Sequence, residues 1–187
     1  VGVDAGALMA PAAAGDPARL FLALWPDEAA RDAIAAWQDA IDWPQGARRM
    51  RREGWHVTLH FLGSVERARI APLAQALARP AWSPFDLAFD RLSEWRRGLA
   101  VLEPAAPPPG LAALQAALGA AVAAQGLPVE AGPFRPHLTI GRRAAGARLR
   151  GDAPPPAAWR VHRHALVESR QGRYETLRDW GAPADSA

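Results

Sequence analysis

Two stretches, Trp55-His-Val-Thr-Leu-His-Phe-Leu62 and Pro136-His-Leu-Thr-Ile-Gly141, decide how this chain is read. Both are apolar runs that carry a His-x-Thr triplet. On an extended strand, side chains at i and i+2 leave the same face. His56 and Thr58 therefore project together, while Val57, Leu59 and Phe61 point the other way into a core. His137 and Thr139 do the same beside Leu138 and Ile140. The chain of 187 residues holds five histidines and three threonines. Random placement would give roughly 0.08 such triplets, so two of them weigh against a pair of ordinary structural histidines. One triplet alone would not.

The surroundings repeat as well. Arg19-Leu-Phe-Leu-Ala-Leu-Trp25 reads as a buried strand, and Pro26 and Asp27 start a helix over 27–41 whose apolar face carries Ile34, Trp37 and Ile41. The first His-x-Thr strand follows, closed by Gly63 and Ser64, with Ser64 expected to cap a helix over 65–79. Residues 84–92 alternate as one antiparallel strand. The pattern then begins again: strand Leu99–Glu103, a proline loop at 104–109, a helix marked by Leu111, Leu114, Leu118 and Val122, and the second His-x-Thr strand. After a Pro-rich loop at 151–157, Val161–Ser169 and Tyr174–Trp180 read as a terminal hairpin. Strand, proline, helix and His-x-Thr strand occur twice, as in a diverged internal duplication. The expected architecture is α+β: a bilobal, pseudo-two-fold fold over 19–187, with two antiparallel sheets flanking a central groove and helices outside. Residues 1–18 lack periodicity and read as a disordered tail.

Composition narrows the chemistry. There is no cysteine, which excludes disulfides, thiolate metal sites and cysteine nucleophiles. All 22 basic residues are arginine. Without lysine there is no Schiff base, no P-loop lysine and no lysyl-nucleotide adduct, whereas arginine is suited to two-pronged phosphate binding. A net charge of +3 says little about nucleic acid by itself. No stretch approaches a membrane span, and no secretory signal is recognisable; a cytoplasmic monomer without cofactor is expected. Histidine titrates near neutrality and can give or take a proton. A threonine hydroxyl beside it can donate to a phosphoryl oxygen without adding charge. Two such pairs facing a groove suit phosphoester chemistry.

The segments HVTLHFLG at 56–63 and PHLTIGR at 136–142 resemble the two signatures of the 2H phosphoesterase superfamily. RLFLALWPDE near the start and ALVESRQGRY near the end resemble the RNA 2′,3′-cyclic phosphodiesterases within it, also called 2′-5′ RNA ligases. The likeness spans roughly residues 19–180. It implies metal-independent hydrolysis of an RNA 2′,3′-cyclic phosphate end to a 2′-phosphomonoester. It also implies His56 as proton donor, His137 as proton acceptor, and Thr58 and Thr139 as holders of the non-bridging oxygens. Arg142 matches an arginine often found after the second motif, although its odd spacing from His137 would turn it off the histidine face unless Gly141 bends the chain. Phe61 holds the equivalent place in the first half.

Other residues admit two readings. By alternation His60 shares the face of His56, as a groove residue or a histidine at the strand's exposed end. His162 and His164 form His-x-His, read as a solvent-facing pair rather than a metal site because no acidic or thiol partner lies near in sequence. Arg48, Arg49, Arg51 and Arg52 would meet RNA phosphates or form a solvated loop. Tyr174 and Trp55 would stack on a base or pack in the core. The competing functions are a phosphodiesterase for small cyclic nucleotides, reverse 2′-5′ ligation at the same site, a non-catalytic RNA-binding module, and a metal hydrolase built on His162 and His164.

Overall fold

The computed structural model describes residues 16–182. Most of the expected N-terminal tail lies outside them. Its last residue, Ala18, is not tail: it is buried and opens the first strand, because Val65 pairs across from it.

The chain runs β1 (Ala18–Leu24), α1 (Glu28–Asp39), β2 (Ile41–Asp42), β3 (Arg48–Arg49), a short 3₁₀ turn (Arg52–Gly54) and β4 (Val57–Val65). It continues through α2 (Ile70–Leu77), β5 (Phe85–Phe89), β6 (Arg91–Trp95), β7 (Leu99–Glu103), α3 (Pro109–Ala124) and β8 (Leu138–Arg142). The last elements are β9 (Arg148–Leu149), β10 (Ala157–Val161), β11 (Arg163–Arg170) and β12 (Arg173–Gly181). The expected helix after Pro26 forms, with the Asp27 carboxylate accepting from the Ala30 N–H at 2.8 Å, but it ends at Asp39, and Ile41 belongs instead to β2 because it pairs with Leu149. Such a cap satisfies one of the free amides at a helix start.

The strands form one antiparallel array in the order β12-β11-β1-β4-β8-β7-β6, with β3 beside β8. β4 and β8 touch through a single pair, Val57 opposite Leu138. The array is thus two antiparallel sheets, β12-β11-β1-β4 and β8-β7-β6, joined at that pair. The repeated units are β1-α1-β4 and β7-α3-β8.

One face of the array carries Leu20, Leu22, Leu24, Val57, Leu59, Leu102, Leu138 and Ile140, all buried against the helices in the main core. The other carries a smaller cluster of Phe21, Ala23, Ala165 and Val167, with Trp25, Phe61 and Tyr174 packed on it. β1 is covered on both faces, which is why its sequence is a near-continuous apolar run rather than an alternating one.

The helices are exchanged between the lobes. Gln38 of α1 donates through Nε2 to the carbonyl of Ile140 in β8, at 2.7 Å. His60 of β4 donates through Nε2 to the carbonyl of Gln115 in α3, at 2.7 Å. Each lobe's strand is therefore tied to the other lobe's helix.

Three local expectations need correcting. Ser64 caps no helix: β4 continues through it because Arg19 and Ala18 keep pairing with Ser64 and Val65, and α2 starts at Ile70 without a side-chain cap. Residues 84–92 are not one strand. The chain changes sheet at Asp90, whose carboxylate accepts the Ala105 N–H at 2.8 Å, so β5 pairs with β10 while β6 pairs with β7. The stretch after the Pro-rich loop is likewise divided, with β10 ending at Val161 and the terminal hairpin made by β11 and β12.

Gly141 marks a tight approach. A Cβ there would meet the Trp43 ring at 2.3 Å, and that ring is held by its own N–H bond to the Gln38 carbonyl. Gly141→Ala is therefore expected to lower stability by about 1–3 kcal/mol, measured as a shift in the urea unfolding midpoint with an unchanged slope.

Candidate active site

His56 and His137 each stand one residue before a strand, beside the Val57–Leu138 pair. Antiparallel register sets His56 across from Thr139, and Thr58 across from His137. The strands diverge from there and leave a groove of about 290 Å³ lined by His56, Thr58, Phe61, His137, Thr139 and Arg142. Arg19 and Phe21 of β1, Ser169 of β11 and Tyr174 of β12 complete the wall.

The two histidines are held alike. His56 Nδ1 lies 2.8 Å from the Gly54 carbonyl and His137 Nδ1 lies 2.9 Å from the Arg135 carbonyl, in each case two residues back. A carbonyl only accepts, so each Nδ1 carries the proton and donates. That leaves each Nε2 as the nitrogen available for chemistry: a base when the ring is neutral, an acid when it is charged.

One backbone irregularity, present in both halves, decides which other residues join them. Pairing with β1 runs Ala23 to Thr58 and Leu22 to His60, so Leu59 is an extra residue. Pairing with β7 runs Val101 to Thr139 and Ala100 to Gly141, so Ile140 is extra. A β-bulge reverses the alternation beyond it. His60 therefore leaves the groove face, which corrects both readings of it: it is 4% exposed and bonded to Gln115, neither a groove residue nor a surface one. Phe61 and Arg142 take the groove face instead. The odd spacing of Arg142 is resolved by the bulge at Ile140.

The rings differ in their surroundings. His56 sits among Phe21, Trp25 and Tyr174, with centroids 4.9, 5.5 and 5.0 Å away. His137 lies against Trp95 at 4.1 Å, and the Arg135 guanidinium is 4.6 Å from the Trp95 ring centre. Burial pushes the His56 imidazole below its ordinary value of 6.5; the Gly54 carbonyl opposes this, and the charges of His137 and Arg142 add to it. Burial also lowers His137, opposed by the Arg135 carbonyl and the Glu103 carboxylate, with the Arg135 charge adding to the fall.

The remaining candidates separate. His162 is exposed, whereas His164 is 2% exposed, stacked on Trp180 at 5.1 Å and bonded through Nε2 to the Leu77 carbonyl. The expectation of a solvent-facing pair fails at His164 because Trp82 and Trp180 enclose it. Among the described residues no cluster of three or more His, Cys, Asp or Glu side chains could hold a metal ion. Arg49 is paired with Asp39, and Arg52 with Glu28 and Asp32, so half of the basic cluster is fastened to α1. Arg48 lies across from Arg142 in the β3–β8 pair. Trp55 is a core residue, while Tyr174 lines the groove. Phe21, Trp25, Trp95, Arg19 and Ser169 were missed as site residues. Continuing the alternation along β1 and β11 from the quoted flanking segments would have pointed to Arg19, Phe21, Trp25 and Ser169.

A sequence model described as the 2′-5′ RNA ligase superfamily matches residues 25–173, and the chain belongs to that superfamily. Among its curated relatives is the RNA 2′,3′-cyclic phosphodiesterase of Escherichia coli K12, 30% identical over 173 residues, covering 88% of this chain and 97% of the relative. The apo crystal structure of E. coli LigT superposes with a TM-score of 0.79 at 28% identity, over 89% of this chain and 98% of that one. LigT complexed with 3′-AMP gives the same score and identity, over 90% and 99%. No helix among the described residues is long and apolar enough to cross a membrane.

The lowered histidines make stability depend on pH with a definite sign. His56, His137 and His164 all bind protons less readily folded than unfolded. Above 6.5 both states are neutral at these sites; as pH falls below it, the unfolded chain takes up protons first and gains on the folded one. Glu103 and Glu168, held below the carboxylate value of 4.5, add their loss only in the acid range. Urea midpoints are expected to fall between pH 7.5 and 5.5, and His164→Phe to flatten that slope.

Proposed function

We propose that this protein opens RNA 2′,3′-cyclic phosphate ends to 2′-phosphomonoesters by two-histidine general acid–base catalysis. The observation that carries the reading is the matched pair of Nδ1–H bonds to the Gly54 and Arg135 carbonyls, which frees an Nε2 on each ring beside one groove. The relatives named RNA 2′,3′-cyclic phosphodiesterase support it.

Water attacks phosphorus opposite the 3′-oxygen. His137 takes the water proton as the new P–O bond forms; the bond from phosphorus to the 3′-oxygen breaks, and His56 gives that oxygen its proton. The 2′-ester bond remains. Charge grows on the non-bridging oxygens during this step, and the Thr58 and Thr139 hydroxyls donate to them while Arg142 supplies a fixed cation. Before the chemical step, Arg142 and also Arg19 hold the phosphates, and the Tyr174 ring of the groove wall offers a surface for stacking. The reaction needs no metal ion, and the protein acts as a monomer. With the 5′-hydroxyl of a second RNA in place of water, the same steps form a 2′-5′ phosphodiester: the hydroxyl gives its proton to His137 as its oxygen bonds phosphorus, the bond to the 3′-oxygen breaks, and His56 protonates that oxygen.

The test is turnover of 2′,3′-cyclic nucleotides and of a short RNA with a cyclic phosphate end, in EDTA, with the product isomer identified. A 2′-phosphate product is expected, with kcat lowered about 10²–10⁴-fold in His56→Ala and in His137→Ala. Thr58→Ala and Thr139→Ala should each lower it on the order of 100-fold. The pH profile should be bell-shaped, since one ring must be charged and the other neutral. Full turnover in either histidine variant would overturn the mechanism. Salt-sensitive RNA binding that survives both substitutions without turnover would point to a binding module instead. Turnover of mononucleotides alone would restrict the substrate to small cyclic phosphates.

A further inference from the structure

The two halves present different residues at one matched position. Ala23 pairs with Thr58 and Val101 with Thr139; two residues on, along the same face, stand Trp25 and Glu103. Trp25 packs on His56. Glu103 is 7% exposed, an unusual place for a carboxylate, and binds Arg135 through Oε1 at 3.2 Å, with Arg91 4.0 Å from Oε2. Burial alone would raise this carboxyl, but Ser93, Trp95, Arg135 and Arg91 together hold it charged. The Trp95 indole N–H is buried without a hydrogen-bond partner.

These contacts close a ring around His137. Its Nδ1–H donates to the Arg135 carbonyl, its ring packs at a tilt against Trp95, and the Arg135 side chain folds back over the same indole. Glu103 fastens the guanidinium that completes the circuit. We infer that Glu103 is a positioning residue for His137, holding Arg135 over Trp95 so that the imidazole keeps its Nε2 toward the groove, while the charge the ring acquires feels the field of the Glu103 carboxylate. The inference rests on the reading of His137 as the proton acceptor. It gives that role a physical basis. A base that becomes a cation benefits from a negative neighbour, whereas His56, among aromatic rings and near the Arg142 guanidinium and the charge His137 acquires, releases its proton readily. The charged and titratable groups that face His137 are Glu103 of β7, Arg91 of β6 behind it, Arg135 of its own segment, His56 before β4 and Arg142 of β8; Arg19 of β1 and Tyr174 of β12 face the shared groove.

The test compares Glu103→Gln, Glu103→Asp and Arg135→Gln in the full chain. Arg135 has a side chain 64% exposed, so its variant keeps the fold if Glu103→Gln does not. The His137 ring is followed by NMR titration, and kcat and KM are measured with a 2′,3′-cyclic nucleotide. The His137 midpoint should move down in Glu103→Gln, up in Arg135→Gln, and return toward the parent in Glu103→Asp, while that of His56 stays. In Glu103→Gln and Arg135→Gln, kcat should fall about tenfold with KM within about twofold, as expected of a displaced catalytic group. A packing role alone would not move the two midpoints in opposite directions. An unmoved His137 midpoint, or an unchanged kcat beside a moved one, overturns the inference. If the proposed reaction were wrong, the parent would show no turnover while the midpoints still moved, so the two failures are distinguishable.

Discussion

Everything at the groove depends on one backbone contact, the pairing of Val57 with Leu138. Each is the central residue of a His-x-Thr triplet, and an antiparallel pair at the centre sets the flanking residues crosswise. Each histidine thereby faces the other lobe's threonine. Had the lobes met one residue along, the side chains would have alternated out of step and the two triplets would have served opposite faces. A longer ladder between β4 and β8 would have closed the cleft. One pair is enough to fix register and leave room for a ligand.

Much of this was legible in the chain. The apolar runs, Asp27 and the prolines marked the elements of both halves, and the i, i+2 alternation brought His56 to Thr58 and His137 to Thr139. The alternation failed at Leu59 and Ile140, because a bulge is a property of two strands. Nothing in Leu59-His60 says that Leu22 and Ala23 will skip a residue opposite. The cost of that blindness fell on His60 and Arg142, whose faces exchange beyond the bulge. His164 was misread for a related reason: its burial is made by Trp82 and Trp180, both distant in sequence. The change of sheet at Asp90 depends on an amide fifteen residues away, that of Ala105.

The matched halves present two like-held histidines, and the proposed acid–base roles need inequivalent ones. Both rings make the same hydrogen bond to the backbone, so the tautomer is common to both. The difference comes from positions that correspond in the two halves but carry different residues. Phe61 stands against Arg142, Trp25 against Glu103, and His60 against Gly141. The first pair sets a cation in the groove that both rings line, and the second sets a carboxylate near His137 alone. The third is a packing exchange, in which one lobe fills with an imidazole bonded to α3 the space that the other gives to the Trp43 indole.

The exchange of helices has a consequence for how such a molecule can be divided. Gln38 spends its amide on Ile140, and Gln115 receives the imidazole of His60, so each half ends its hydrogen bonding inside the other. A fragment cut between Trp95 and Leu99 would carry a complete helix and strand, yet leave a buried amide and an apolar helix face without partners. The two lobes are therefore not modules joined at a hinge. Each half supplies partners for buried groups of the other, so the repeat visible in the sequence does not mark two self-contained pieces.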